Sequence, residues 1–162
     1  MNKFEKLDPQ GSVFRVLDAD SPHVFVHSQY MTDFISFKSL KRSTKPNAFL
    51  LAPVDFCLAS KPDKASPFIP APPDALFRQV QDIIANQKRW GDVKADPTTR
   101  QIRFIAKTPL MGFKDDVDIQ VIAGETENTS TIAIYSRSRV GYSDLGANHK
   151  RVDGIMTQIL AQ

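Results

Sequence analysis

The chain has 162 residues, 41% hydrophobic and 24% charged, the make-up of one globular domain able to bury a real core. Its 21 lysines and arginines nearly balance 18 acids, and the net +3 is spread without the basic stripe of a nucleic-acid binder, so no nucleic-acid partner is expected. A single cysteine, Cys57, excludes an internal disulfide and a cysteine-built zinc site, and no stretch reaches the ~18 apolar residues of a membrane span.

The start, MNKFEKLDPQGSVF, has no signal-peptide apolar run, which implies a cytoplasmic protein as written; an extension preceding Met1 would shift that expectation to the envelope or periplasm. VFRVL (13–17) and HVFVH (23–27) have strand composition, and FISFKSL (34–40) alternates weakly. Pro9, Gly11, Pro22 and Pro46 keep these pieces short. Six of the eleven prolines then fall between Pro53 and Pro73, a density that disfavours helix and interrupts strand ladders. Residues 1–72 are therefore expected to be an irregular arm with short strands. It would drape over the following domain, with Phe25, Phe34, Phe37 and Phe49 as anchors.

Regular patterning begins at PPDALFRQVQDIIANQ. Proline opens a helix, an acid sits in its first turn, and Leu76, Phe77, Val80, Ile83 and Ile84 share one face. Strand patterns follow at WGDVKAD (90–96), QIRFIAK (101–107), DDVDIQVIA (115–123) and TIAIYSRSRV (131–140), joined by turn-rich ADPTTR and GETENTS. Val152, Ile155, Met156 and Ile159 make a closing amphipathic helix. Residues 73–162 thus predict an α+β domain: a four-stranded antiparallel sheet with two helices on one face, preceded by an extended N-terminal arm.

Most chemical motifs fail on spacing. His23 and His27 lie on a strand pattern, which separates them by about 13 Å at ~3.3 Å per residue, too far to share a metal ion. Cys57, between Phe56 and Leu58, reads as a small core residue rather than a nucleophile paired with His149 or a histidine of the arm. None of Ser136, Ser138 and Ser143 sits in a nucleophile elbow. Gly141 and Gly146 match no phosphate loop and serve to admit positive φ. No metal or cofactor is expected.

What remains is SRSRVGYSDLGANHKRV (136–152). In a strand over 131–139, Arg137 and Arg139 share a face with Ala133 and Tyr135, while Ile132, Ile134, Ser136 and Ser138 face the helices. Four basic groups between residues 137 and 151 stand against Asp144 alone, close to a helix N-terminus. The candidate anion site therefore comprises Arg137, Arg139, Tyr142, Ser143, Asp144, Asn148 and Arg151. It would suit an anionic small molecule or a lipid head group. The competing reading is structural. Folding the two last strands together puts Asp116 and Asp118 roughly opposite Arg137 and Tyr135, Asp144 or Ser143 can cap the helix, and Asn148 can bond back into the turn.

The run YSRSRVGYSDLGANHKRVD, preceded by GFKDDVDIQVI, resembles the signature of the bacterial and plastid family called domain of unknown function 1499. KPNAFLLAP (45–53) is similar to a KPN-x3-L-x2-P stretch of its proteobacterial members. The resemblance implies a motif at Ser136, Arg137, Ser138, Gly141, Ser143, Asp144, Gly146, Asn148 and Arg151, and no particular reaction, since the family carries no established activity. It also implies work near a membrane for members with apolar N-terminal segments, a pattern from which this polar start departs. The expectation is a small non-enzymatic binding or structural module using turn 136–151. The alternative is an enzyme on a small anionic substrate, with Arg137 and Arg139 as clamp and Asp144 or His149 as acid/base.

Overall fold

The computed structural model describes residues 34–109 and 111–161, together with a two-residue antiparallel pair nearer the N-terminus, β1 (Lys6–Leu7) and β2 (Val13–Phe14). The expected strand HVFVH, its histidines and the Phe25 anchor lie outside the described residues.

Helix α1 (Pro73–Ala85) begins on Pro73 and buries the five apolar residues of its predicted face. Then β5 (Trp90–Asp96), β6 (Gln101–Lys107), β7 (Lys114–Ala123) and β8 (Ser130–Ser138) form an antiparallel meander, and α2 (Ala147–Leu160) closes the fold. Both helices cover one sheet face. There Leu76, Val80 and Ile84 of α1 and Val152, Ile155 and Ile159 of α2 meet Ile102, Phe104, Val117, Ile119, Ile132 and Ile134.

The sheet is larger than the predicted four-stranded antiparallel one. Among the described residues it is mixed and gains β3 (Ala48–Ala52) and β4 (Lys64–Ala65), giving six strands in the order β4-β3-β8-β7-β6-β5. Strand β3 pairs antiparallel with β8, Leu50 opposite Tyr135 and Leu51 opposite Ile134, and β4 runs parallel outside it. The physical reason is that β3 is buried on both faces. Leu51 enters the helix-side core, while Leu50 and Ala52 enter a second cluster with Phe37, Leu40, Cys57, Ala133 and Tyr135. A strand covered on both sides shows no apolar–polar alternation. The prolines leave room for this pairing: Lys64 and Ala65 fit between Pro62 and Pro67, and Ile69 bridges Ser130.

FISFKSL forms no strand. It lies across the sheet face opposite the helices, with Phe37 and Leu40 buried and Ile35 packed against the second cluster. Phe49 is half-buried against the helix-side core and stacks on His149 at 4.3 Å between ring centroids. Cys57 is a buried, unpaired thiol whose pKa is pushed up by burial, against the field of Arg42.

Candidate functional site

Alternation along β8 divides the signature run between two sheet faces. Arg137 and Arg139 project away from the helices, where β7 presents Asp116 and Asp118; the register sets Asp116 opposite Arg137 and Asp118 opposite Tyr135. Arg137 Nη1 donates to Asp118 Oδ2 at 2.7 Å, and its guanidinium lies 5.1 Å from the Tyr135 ring centroid. Arg139 grips Asp116 with two bonds, Nε to Oδ2 at 3.1 Å and Nη2 to Oδ1 at 2.7 Å. Arg103 of β6 stands 3.7 Å from Asp116 and 3.8 Å from Asp118. Burial raises the pKa of Asp116, but Arg139's hydrogen bonds and the fields of Arg137, Arg139 and Arg103 outweigh it and hold the group below the usual carboxylate range. Asp118 is more deeply buried, and there desolvation wins over Arg137 and Arg103, raising its pKa.

On the helix side the same run builds a buried polar network. Asn148 is fully buried at the start of α2. Its Oδ1 accepts from Ser136 Oγ and Arg151 Nη1, both at 2.6 Å. Its Nδ2 donates to the Asn47 carbonyl at 2.9 Å, to Asp144 Oδ2 at 2.6 Å and to Ser138 Oγ at 3.1 Å. Arg151 extends Nη2 to Asp115 Oδ2 at 2.7 Å, a pair whose side chains are 9% and 1% exposed. Asp144 binds the turn to the helix by accepting from the N–H of Gly146 at 3.0 Å and of Asn148 at 2.9 Å. Gly141 and Gly146 take φ of 90° and 80°, where a side chain would be strained.

Between the β6–β7 loop and the β8–α2 loop opens a cleft of about 640 Å³. Its rim is apolar, carrying Met111, Phe113, Val140 and Leu145. The lining also includes Asp115, Ser138, Ser143, Asp144 and Ala147. Asp115 Oδ2 is engaged by Arg151, but its buried Oδ1 has no hydrogen-bond partner among the described residues.

The seven predicted site residues therefore fall into three groups. Arg137 and Arg139 are ion-paired on the outer face. Asn148 and Arg151 tie α2 to β7 and β8, and Ser143 and Asp144 line the cleft; Tyr142 is exposed on the same turn. His149 bonds Asp153 one turn further along α2 at 2.9 Å and lies outside the cleft lining. Among the described residues no cluster of metal-ligating side chains forms.

The sequence reading missed Asp115 and Asn47. The signal for Asp115 was present: it continues the buried parity of Val117, Ile119 and Val121, and an acid there requires an internal cation.

Solved structures similar to the chain include two with low identity. One is the crystal structure of the di-domain ARO/CYC protein BexL from a biosynthetic pathway, with 18% identity and a TM-score of 0.41, covering 59% of this chain. The chain spans 42% of the length of that di-domain protein. The other is a solution NMR structure of a protein from Thermobifida fusca, with 11% identity and a TM-score of 0.40, covering 59% of this chain and 83% of that one. A search of curated proteins finds no match. The family model described as "Protein of unknown function (DUF1499)" matches residues 18–159, and the chain belongs to that family.

Proposed function

We propose that the chain is a small binding module whose cleft holds a molecule with an apolar body and a hydrogen-bond donor. The single observation behind this reading is Asp115 Oδ1, a buried carboxylate oxygen without a partner among the described residues, on a residue that lines an apolar-rimmed cleft. An unpaired buried acceptor costs about 1–3 kcal/mol, which a donor on the ligand would recover. The apolar rim would supply the remaining affinity by burial at ~25 cal/mol per Å².

The turn remains the favoured place for a ligand, but the chemistry proposed is a donor rather than an anion. Arg137 and Arg139 already give hydrogen bonds to Asp118 and Asp116, and neither lines the cleft. The enzyme alternative loses support for the same reason, because β8 separates the arginine pair from Asp144.

Fluorescence titration with phenylnaphthylamine, an apolar three-ring probe with one N–H, tests the proposal. Saturable binding is expected. The N-methylated probe, lacking the donor, should bind about tenfold more weakly because it leaves Asp115 Oδ1 unpaired. Ala147→Phe, which places a ring in the cleft, should abolish binding of both. Equal affinity for the two probes, or binding undisturbed by Ala147→Phe, would overturn the reading.

A further inference from the structure

The cleft rim has a second property, independent of what lies inside. Five large apolar side chains stand in solvent on the two loops at this end of the sheet: Met111 and Phe113 on one, Val140, Tyr142 and Leu145 on the other. Leu145 is 91% exposed. Its φ of 52° is in the left-handed region, where residues other than glycine, asparagine and aspartate are uncommon.

These loops are firmly bonded, so the exposure is built in. Thr108 N donates to the Phe113 carbonyl at 2.9 Å, and Phe113 N donates to Thr108 Oγ1 at 3.0 Å. Across the cleft, Asn47 Nδ2 donates to the Gly141 carbonyl at 3.0 Å, and Asp144 holds Gly146.

Charge around the rim has one dominant sign. Lys107 and Lys114 are register partners on adjacent strands, a like-charge juxtaposition that a sheet ordinarily avoids. Both are exposed, as are Arg89, whose carbonyl accepts from Lys107 N, and Lys150 on the first turn of α2. Among the described residues no acid pairs with any of these four side chains.

We propose that this end of the molecule docks on an anionic lipid bilayer. The apolar loop tips would enter the interfacial region, and Lys107, Lys114, Lys150 and Arg89 would lie at the level of the phosphates. Apolar tips inside a cationic collar complement such a surface on both counts. A second copy of the chain fits worse. Two-fold pairing through the tips would press each collar against its own like charges.

Vesicle co-sedimentation of the full chain provides the test. The protein should pellet with phosphatidylcholine vesicles containing about a third phosphatidylglycerol, and should remain in solution with phosphatidylcholine alone. Binding should fall as salt is raised to about 0.5 M, where the Debye length shrinks to about 4 Å. Met111→Asp/Leu145→Asp and Lys107→Glu/Lys114→Glu should each weaken binding by about tenfold or more. All four side chains are exposed, so the melting midpoint should stay at the wild-type value. Failure to pellet with anionic vesicles, equal pelleting by either double variant, or equal pelleting with neutral vesicles would overturn the proposal. So would a concentration-dependent dimer that Met111→Asp/Leu145→Asp dissolves. Ala147→Phe separates this proposal from the cleft reading: it should leave vesicle binding intact, and probe binding can fail while docking holds.

Discussion

The two faces of β8 carry similar chemistry in unlike settings. Outside, Arg137 and Arg139 pair with Asp118 and Asp116 on a face where the arginine side chains are 25% and 42% exposed. Inside, Arg151 pairs with Asp115 where almost nothing reaches water, and Asn148 and Ser136 complete the coordination. The outer pairs can exchange partners with solvent. The inner ones cannot, so each inner group depends on all the others, and deletion there should be the more damaging.

The largest expected effect is Arg151→Met. It leaves the Asp115 carboxylate buried with neither oxygen paired, and a broken buried pair costs about 3–5 kcal/mol. Urea unfolding should show a large drop in midpoint with little change in slope. Asn148→Ala comes next, at about 2–3 kcal/mol, because it strands the Asn47 carbonyl and removes acceptors from Ser136 and Arg151. A result under about 1 kcal/mol for both would mean that water replaces the network and that the inner face is no more demanding than the outer.

This contrast explains how much could be read from the sequence. Both helices, the meander and the facing of Arg137 toward Asp116 and Asp118 were legible, because alternating Val117, Ile119, Val121 and Ile132, Ile134 set the buried parity and the GETENTS hairpin constrains the register. Strand β3 was hidden because Leu50 and Leu51 are buried on opposite faces and so show no polar alternation. The cleft was hidden for a different reason. Met111, Phe113, Val140 and Leu145 belong to loops, where no period connects residues distant in the chain. The signature run and its division between two faces were visible in the β8 alternation, but its helix-side partners Asp115 and Asn47, which come from distant parts of the chain, were not.

On the outer face, Arg137→Met should cost about 1–2 kcal/mol, since it leaves the buried Asp118 with only the more distant Arg103 beside it. Arg139→Met should cost less than about 1 kcal/mol, because solvent screens a side chain that exposed. Reversal of that order would indicate that the two bonds of Arg139 to Asp116 matter more than burial does.

The smallest effect is the pH dependence, and its sign differs between the two outer acids. Asp116 has a folded pKa below its unfolded value, so its contribution is present above the unfolded pKa near 3.9 and is lost as pH falls through the lowered folded value. Asp118 has a raised folded pKa, so its ionised form opposes folding at neutral pH, and that penalty is relieved as pH falls from above the raised value toward 3.9. Comparing Asp116→Asn and Asp118→Asn with wild type by urea unfolding between neutral and acidic pH isolates the two. The wild-type advantage over Asp116→Asn should shrink on acidification below the unfolded pKa, whereas stability relative to Asp118→Asn should rise on acidification above it. Parallel curves would mean that burial does not distinguish the two carboxylates, and that the outer face behaves as one uniform ion-pair lattice.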